Sequence, residues 1–423
     1  MCLAQPSSLD IRAFFVLCCD EMSSPPQAPP LAWLNRTVLG VGLASLFSDM
    51  SHEMATALMP AFLATMGVAA AWIGAIEGIS DGISSFAKMG SGYFTDGLPR
   101  RKPLAVAGYL VTALGTASFG LAVNAWQVLV ARSVAWLGRG VRTPVRKSLL
   151  AAAVEKTTYG RAFGFERMMD TLGAIIGPAM AWLLFREFDH RYPPVFAITL
   201  LPGILAMIMI AWLVEEMRRV PVAHVTFGER LRSLPQQYRQ FLLAAGLFGA
   251  GAFAHTLLIL LAAQKLAPIY GAPHAASFAV ALYVLHNVFY AGFSYLGGWM
   301  ADRFPKNRLL SLGYFLAALM AGAIVLLPAS LASMVLVFIL GGIQVAVEET
   351  LEDSFCAELV GEAHHGMAFG VLATVNGIGD FLSSIIVGVL WSAFGTAVAF
   401  GYSAVLFIIG AVLVLRVKPV LRA

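Results

Sequence analysis

Acidic residues stand four positions apart inside apolar stretches of this chain, a spacing suited to proton chemistry. Asp49 and Glu53 form one such pair, and Glu77 and Asp81 form another in the next apolar stretch. Residues four apart lie on one face of a helix, and a carboxylate in a low-dielectric environment can hold a proton near neutral pH. The two pairs are candidates for proton exchange, and the alternative is a static network of buried ion pairs.

Arginines in the same half supply positive charge. If the first two stretches cross a membrane in opposite directions, a helical rise of about 1.5 Å per residue places Glu53 level with Glu77 and with Arg132. Arg139 and Arg146 follow Arg132 at intervals of seven and extend one helical stripe. This arrangement predicts a polar cavity in which arginine meets a substrate or a carboxylate. The other candidates for the cavity are Arg167, Asp170, His286, Asn287 and Asn376.

The composition indicates the class of protein that holds these groups. Hydrophobic residues make up 59% of the chain, charged residues 12%, and the mean hydropathy is +0.78. Soluble domains carry about 25% charged residues, so a helical protein that crosses a lipid bilayer many times is predicted. The net charge of +4 is attributed to topology rather than to a nucleic-acid partner. The four cysteines show neither metal-site spacing nor a disulfide framework, and no metal is expected.

Twelve apolar stretches are long enough to span a bilayer, which predicts an all-α fold. They cover residues 37–65, 71–94, 103–123, 126–153, 160–185, 194–214, 240–264, 275–300, 308–327, 331–356, 365–391 and 395–416. The predicted parts are a disordered lead-in (1–33), a six-helix bundle (34–215), a central loop (216–239) and a second bundle with a short tail (240–423). Translation from Met22 is an alternative start.

Basic residues predict the orientation. They concentrate in the gaps after the second, fourth, sixth, eighth and twelfth stretches. Lysine and arginine favour the cytoplasmic side, so both termini and the central loop are expected there. The expected location is a bacterial inner membrane.

One polar signature occurs twice. The segment GYFTDGLPRRK begins at Gly92, and GWMADRFPKNR begins 206 positions later at Gly298. At the same offset, a segment from Val141 aligns without a gap to one from Val347. The offset pairs Asp170 with Asn376, which suggests coupling chemistry in the first half and substrate selection in the second. Two parallel six-helix repeats are a transporter plan.

The signature resembles motif A of the major facilitator superfamily. Gly92, Asp96, Arg100 and Arg101 fit the motif, whereas Gly97 stands where a basic residue is usual. In the second copy Arg303 follows Asp302 and restores that basic position. The resemblance implies a twelve-helix fold in which the motif helps to close the cytoplasmic side. The alternative for the arginines is that they only anchor the topology. Several stretches, such as SDMSHEM and GRGVRTPVR, resemble a bacterial branch of unassigned substrate.

The repeat also pairs residues of opposite charge. Arg142, Arg146 and Lys147 align with Glu348, Glu352 and Asp353. We expect the basic end of the fourth span to meet the acidic end of the tenth when the cytoplasmic side closes, with Arg146 paired to Glu352. The alternative is two independent, solvated helix ends.

The leading functional prediction is a secondary transporter, not an enzyme, that moves a small molecule by alternating access. Gly173, Gly177 and Pro178 resemble the antiporter-associated motif C, which favours export in exchange for protons. The chain contains no GxxxxGK[ST] loop for ATP, so the proton gradient is the expected driving force and no cofactor is expected. The protein is expected to work as a monomer. The alternatives are proton-coupled uptake of a nutrient or metal chelate, and a membrane-embedded enzyme or sensor.

Overall fold

A computed structural model describes residues 33–68, 70–216 and 226–418. The predicted lead-in up to residue 32, with Met22, lies outside this part of the chain. In the described ranges the regular secondary structure is helical throughout. The α-helices are α1 (Arg36–Thr65), α2 (Ala70–Asp96), α3 (Lys102–Ala117), α4 (Ala125–Ala152), α5 (Tyr159–Glu187), α6 (Tyr192–Ile198), α7 (Leu200–Leu213), α8 (Phe227–Ser233), α9 (Gln236–Gly249), α10 (His255–Tyr270), α11 (Ala272–Ala301), α12 (Lys306–Leu326), α13 (Leu331–Leu359), α14 (His365–Phe394) and α15 (Thr396–Arg416).

Local sequence sets several helix starts. The side chain of Asn35 accepts a hydrogen bond from the Val38 N–H at the start of α1. Asn124 and Ser330 cap α4 and α13 in the same way. A polar N-cap satisfies one of the four N–H groups that a helix start leaves without an intrahelical partner.

The helices correspond to the twelve predicted spans, but two spans are broken. The sixth consists of α6 and α7, and the seventh of α9 and α10. In the sixth, Pro202 follows the break at Thr199 and lacks the N–H that would continue the hydrogen-bond ladder. In the seventh, the break falls beside Gly249 and Gly251, which have low helix propensity. The short α8 lies in the predicted central loop.

By length and apolar composition, eight segments of the described residues are able to span a membrane. Of the remaining predicted spans, α1, α2 and α4 contain the ionisable residues singled out above, and the seventh is divided. Large apolar side chains such as Phe86, Trp212 and Leu326 are exposed on the bundle. Exposed apolar surface of this extent fits contact with lipid.

Glycine contacts join the two halves at two equivalent places. A Cβ atom added at Gly92 of α2 would lie 2.4 Å from the Gly366 carbonyl oxygen of α14. A Cβ atom added at Gly298 of α11 would lie 2.1 Å from the Gly160 carbonyl oxygen of α5. Both contacts therefore require glycine, and they follow the 206-residue offset found in the sequence.

Candidate functional site

Each repeated aspartate contacts the first turn of a helix from the opposite half. The Asp96 carboxylate accepts hydrogen bonds from the N–H groups of Gly366 (2.9 Å) and Met367 (2.8 Å) in α14. The first N–H groups of a helix carry partial positive charge and lack intrahelical partners. This contact between a carboxylate and a helix start joins the two halves. We call it the Asp96 lock, and its role in gating stays a prediction.

The second copy makes the same contact with one addition. The Asp302 carboxylate accepts hydrogen bonds from the N–H groups of Gly160 (2.7 Å) and Arg161 (3.1 Å) in α5. The Arg161 side chain adds an ion pair through Nε at 2.7 Å. Burial raises the pKa of Asp302 above its ordinary value, although these hydrogen bonds act in the opposite direction. We call this contact the Asp302 lock, and the end of the bundle with both locks the locked end.

The motif arginines make contacts of a different kind. Arg101 is buried, donates to the Ser148 carbonyl oxygen (3.3 Å) of the first half and pairs with Glu216 (3.5 Å) at the start of the central loop. Arg100 is exposed. Arg303 is also exposed, and its guanidinium lies 3.6 Å from the centre of the neighbouring Trp299 ring. These positions fit anchoring of the topology as well as gating.

The predicted approach of α4 to α13 is present, but the predicted pair is wrong. Arg146 pairs with Glu166 (2.6 Å) and Asp170 (3.6 Å) in its own half. Glu352 accepts hydrogen bonds from Tyr314 (2.5 Å) and Asn376 (2.6 Å) in the other half. A residue off the axis of the repeat need not face its equivalent, because rotation about that axis carries the two to opposite sides.

The pair that does cross between the halves is Lys147 with Asp353. The Nζ atom lies 2.6 Å from Oδ1, and the residues are 206 positions apart, so they are equivalents in the repeat. Equivalent residues meet only near the axis of the repeat. Arg142 points elsewhere: it donates to the Ser48 hydroxyl (2.7 Å).

Arg167 extends the contact between the halves. Its guanidinium lies 3.2 Å from Asp170, 2.9 Å from Glu349 and 3.6 Å from Asp353. Glu349 also accepts a hydrogen bond from the Tyr290 hydroxyl. These groups adjoin a cavity of about 210 Å³ whose lining includes Asp49, Arg139, Arg142, Glu352, Asn376 and Asp380.

A cavity of about 600 Å³ is lined by five predicted groups of the first half: Glu53, Glu77, Asp81, Arg132 and Arg139. Asp49, Arg167 and Asp170 line the smaller cavity instead. Arg132 lies 3.9 Å from Glu77, at the level that the helical rise predicts. Arg139 lies 2.8 Å from the Nε2 atom of His52 and 3.9 Å from Asp49. The remaining contacts are those of His52 with Asp49 (3.4 Å) and Glu53 (3.1 Å), and of Trp136 with Asp81 (2.6 Å). The structure thus brings these candidates together.

Of the two candidates on α11, only one faces this cavity. His286 is buried and lines it. Asn287 donates to the Tyr283 carbonyl oxygen of its own helix and does not line either cavity described above. For Asn287 the structure therefore corrects the prediction of a cavity position, because the next residue on a helix points about 100° away.

The halves separate with distance from the locked end. Ser85 of α2 still touches α14, where the Thr374 hydroxyl donates to its carbonyl oxygen (3.2 Å). Further along, a Cβ atom added at Gly78, Gly82 or Gly388 would have open space. A cavity of about 630 Å³ lies there between α2 and α14. The structure is therefore closed at the locked end and open between the halves beyond it.

The glycines that resemble motif C bring α5 against α1. Cβ atoms added at Gly173 and Gly177 would lie 2.3 Å from the Leu46 carbonyl oxygen and 2.8 Å from that of Met50. Pro178 lies inside α5. Glycines four apart permit such close helix contact, which fixes the helix that holds Arg167 and Asp170.

Sequence reasoning did not single out several residues of the site. Glu349 does not belong to a pair of opposite charges in the repeat, because its equivalent, Thr143, is uncharged. The sequence feature that could have indicated Glu349 is the high density of acidic residues in VEETLED. Glu166, Arg161, Trp136 and Tyr290 gave no signal beyond their position in otherwise apolar helices.

Two repeated helical halves around a charged cavity, closed at one end by equivalent contacts, define a membrane transporter. A profile of the Major Facilitator Superfamily matches residues 41–265 and 241–423. The chain belongs to this family.

Similar proteins agree with this fold. An uncharacterized MFS-type transporter, MJ1317, of Methanocaldococcus jannaschii is 28% identical over 90% of this chain and 95% of its own. The multidrug resistance protein MdtH of Salmonella arizonae is 31% identical over 36% of this chain and 38% of its own. The crystal structure of the human organic anion transporter MFSD10 covers 90% of this chain and 99% of its own, with a TM-score of 0.75 and 15% identity.

Proposed function

We propose that this protein exports a small molecule through a bacterial inner membrane in exchange for protons. The observation that supports it most is the charged cavity between the halves, closed at one end by two equivalent locks. The basic gaps in the sequence favour the locked end as the cytoplasmic one. The described state then faces outward, and opening the locks would present the same cavity to the cytoplasm.

Glu53 and Glu77 are the proposed proton carriers. Their side chains are 30% and 46% exposed, whereas that of Asp49 is 7% exposed. A proton that enters the cavity can therefore reach these two first. Protonation of Glu77 would remove the charge that faces Arg132 at 3.9 Å and would free this arginine. Proton binding would thereby change which groups of the cavity are charged and paired.

Exchange rather than uptake is supported by two further observations. The glycine pair of α5, which resembles motif C, packs closely against α1. The partial match to a multidrug resistance protein points in the same direction. Neither fixes the substrate. In the proposed mechanism the protein acts as a monomer, because the cavity and both locks are formed within one chain.

The test is transport in proteoliposomes with an imposed pH gradient and a panel of labelled small molecules. We expect substrate movement against the proton flux and a loss of at least about tenfold in Glu53→Gln and Glu77→Gln, equivalent to about 1.4 kcal/mol. Glu155→Gln, at an exposed loop position, is the matched control. Movement that is indifferent to collapse of the gradient would contradict coupling, and movement with the proton flux would favour uptake.

A further inference from the structure

The cavity of about 600 Å³ has more acidic than basic side chains in its lining. Two arginines line it, Arg132 and Arg139, against six carboxylates. The six belong to Glu53, Glu77, Asp81, Glu348, Glu349 and Asp380. A cleft lined mainly by one sign of charge concentrates ligands of the other sign.

The acids on the first-half wall already have partners. The contacts are Glu53 with His52 (3.1 Å), Glu77 with Arg132 (3.9 Å) and Asp81 with Trp136 (2.6 Å). On the opposite wall, Glu349 pairs with Arg167 at 2.9 Å. Both arginines of the cavity are engaged as well, because Arg139 contacts His52 and Asp49. An anionic ligand would have to displace one of these carboxylates.

Glu348 and Asp380, like Asp81 on the first-half wall, differ from the other three acids, which face a histidine or an arginine. Glu348 accepts a hydrogen bond from the neutral Gln344 amide. Among residues 33–68, 70–216 and 226–418, neither carboxylate has a lysine, arginine or histidine nitrogen at ion-pair distance. Lys88 lines the smaller cavity together with Asp380 but stays beyond that distance. Two carboxylates on the second-half wall are thus available to a cation.

His286 provides an independent sign of a ligand. It is 1% exposed and lines the cavity, yet in the described part of the chain neither ring nitrogen makes a hydrogen bond of normal geometry. A neutral imidazole offers one donor and one acceptor. Buried polar groups without partners are rare and call for an explanation. A polar group of a bound molecule would provide one.

The rest of the cavity lining is apolar and can contact the hydrocarbon part of an organic molecule. Phe248, Phe253 and Phe407 line the same cavity, together with Leu258 and Met320. Aromatic rings attract cations as well as apolar surface.

From these features we infer that the substrate is a lipophilic amine in its protonated form. Its ammonium group lies against Glu348 and Asp380, a second polar group of the molecule hydrogen-bonds to His286, and its apolar body packs on the phenylalanines. The inference rests on the proposed function, since it names the class of molecule carried by the same cavity.

Equilibrium binding to the purified full chain in nanodiscs, without any gradient, tests the inference. The probes are three naphthyl ethers: propranolol, which is a protonated amine with a hydroxyl group; its neutral diol analogue; and the naphthoxyacetate anion. We expect propranolol to bind at least about tenfold tighter than either of the others, a difference of about 1.4 kcal/mol. Equal or tighter binding of the anion, or no binding of propranolol, would overturn the inference.

Variants test which side chain contacts the ammonium group and which contacts the hydroxyl group of the probes. Glu348→Gln and Asp380→Asn should each weaken propranolol binding about tenfold and leave the diol unchanged, since only propranolol carries charge. His286→Phe should weaken both hydroxyl-bearing probes by about threefold or more. Glu155→Gln is the control, and the melting temperature of each variant reports folding. Unchanged propranolol binding in folded Glu348→Gln and Asp380→Asn variants would contradict the proposed position of the ammonium.

This assay and the transport assay can fail separately. Propranolol binding as expected, with transport indifferent to the pH gradient, would refute antiport and retain the amine site. Gradient-driven export of an anion, with no propranolol binding, would refute the amine site and retain antiport.

Discussion

The two locks place the same carboxylate on the same part of a helix but differ in the side chain beside it. Asp96 and Asp302 each accept two backbone N–H groups from a first helical turn. Arg161 adds a guanidinium contact to the Asp302 lock, and its equivalent in the other copy is Met367, which offers only its backbone N–H. The two backbone hydrogen bonds are therefore common to both locks, whereas the residue that follows the glycine is arginine in one copy and methionine in the other.

The glycine contacts support this reading. Gly92 and Gly298 let two pairs of helices approach until backbone atoms touch. Such proximity brings each aspartate within reach of the N–H groups on the opposite helix. A break in the backbone approach should therefore weaken a lock more than neutralising its aspartate does.

The largest expected effect comes from the pair between the locks. Reversing one charge, by Lys147→Asp or Asp353→Lys, places like charges together where the wild-type side chains are 11% and 5% exposed. Breaking a buried ion pair costs about 3–5 kcal/mol, so transport should be abolished and both locks should open together. The readout is alkylation, from the locked side, of a cysteine introduced at Ala373, which lines the smaller cavity.

The double reversal is the control for this prediction. It should recover only part of the activity, because Asp353→Lys also places a positive charge near Arg167, whose guanidinium lies 3.6 Å from the wild-type carboxylate. A double variant as inactive as the single ones would show that the pair does not hold the halves together. The Arg146 and Glu352 reversal should give no such recovery, because these residues do not meet.

Much of the fold followed from the sequence because it depends on local and repetitive signals. Apolar length predicted the twelve spans, and the 206-residue offset predicted that Gly92 and Gly298 hold equivalent positions. The constant helical rise also predicted that Arg132 lies level with Glu77. These predictions needed no knowledge of how the helices pack.

Contacts that depend on rotation about a helix axis could not be predicted in the same way. Arg146 and Lys147 are neighbours in the sequence, yet one pairs within its half and the other across the axis. A step of about 100° per residue separates their directions, and only packing decides which points toward the axis. Asn287 was misplaced for the same reason. The roles proposed for these residues stay predictions.

The second-largest effect is expected when the close approach of the α11 and α5 backbones is prevented. Gly298→Val would place a side chain where a Cβ atom alone lies 2.1 Å from the Gly160 carbonyl oxygen. Overpacking typically costs about 1–3 kcal/mol, and here the obstacle is backbone, so we expect the closed state to be lost and transport to fall by more than about tenfold. Gly292→Val on the same helix is the matched control, because a Cβ atom there has open space. Equal loss in both variants would indicate damage to the helix rather than to the lock.

A smaller effect is expected when each lock loses its charge. Asp96→Asn and Asp302→Asn keep one carbonyl oxygen but remove the charge-assisted hydrogen bonds, which are worth about 1.5–3 kcal/mol when the acceptor is charged. Each should reduce the initial rate of transport severalfold and increase labelling of the cysteine at position 373. Glu155→Gln, at an exposed position just before α5, should leave both unchanged. If Asp302→Asn changed the transport rate and the labelling but Asp96→Asn changed neither, the locks would not be equivalent.

The smallest effect addresses Arg161 itself. Arg161→Met places at this position the residue type of its equivalent, Met367, with both backbone hydrogen bonds retained. Because the Arg161 side chain is 30% exposed, the loss should be only about 0.2–1 kcal/mol, as for surface ion pairs. Labelling at position 373 should rise by less than about fivefold, and the rise should shrink in high salt, which screens the ion pair of the wild type. A loss as large as that of Asp302→Asn would mean that the guanidinium, not the helix start, holds the carboxylate, and the two locks would then work by different means.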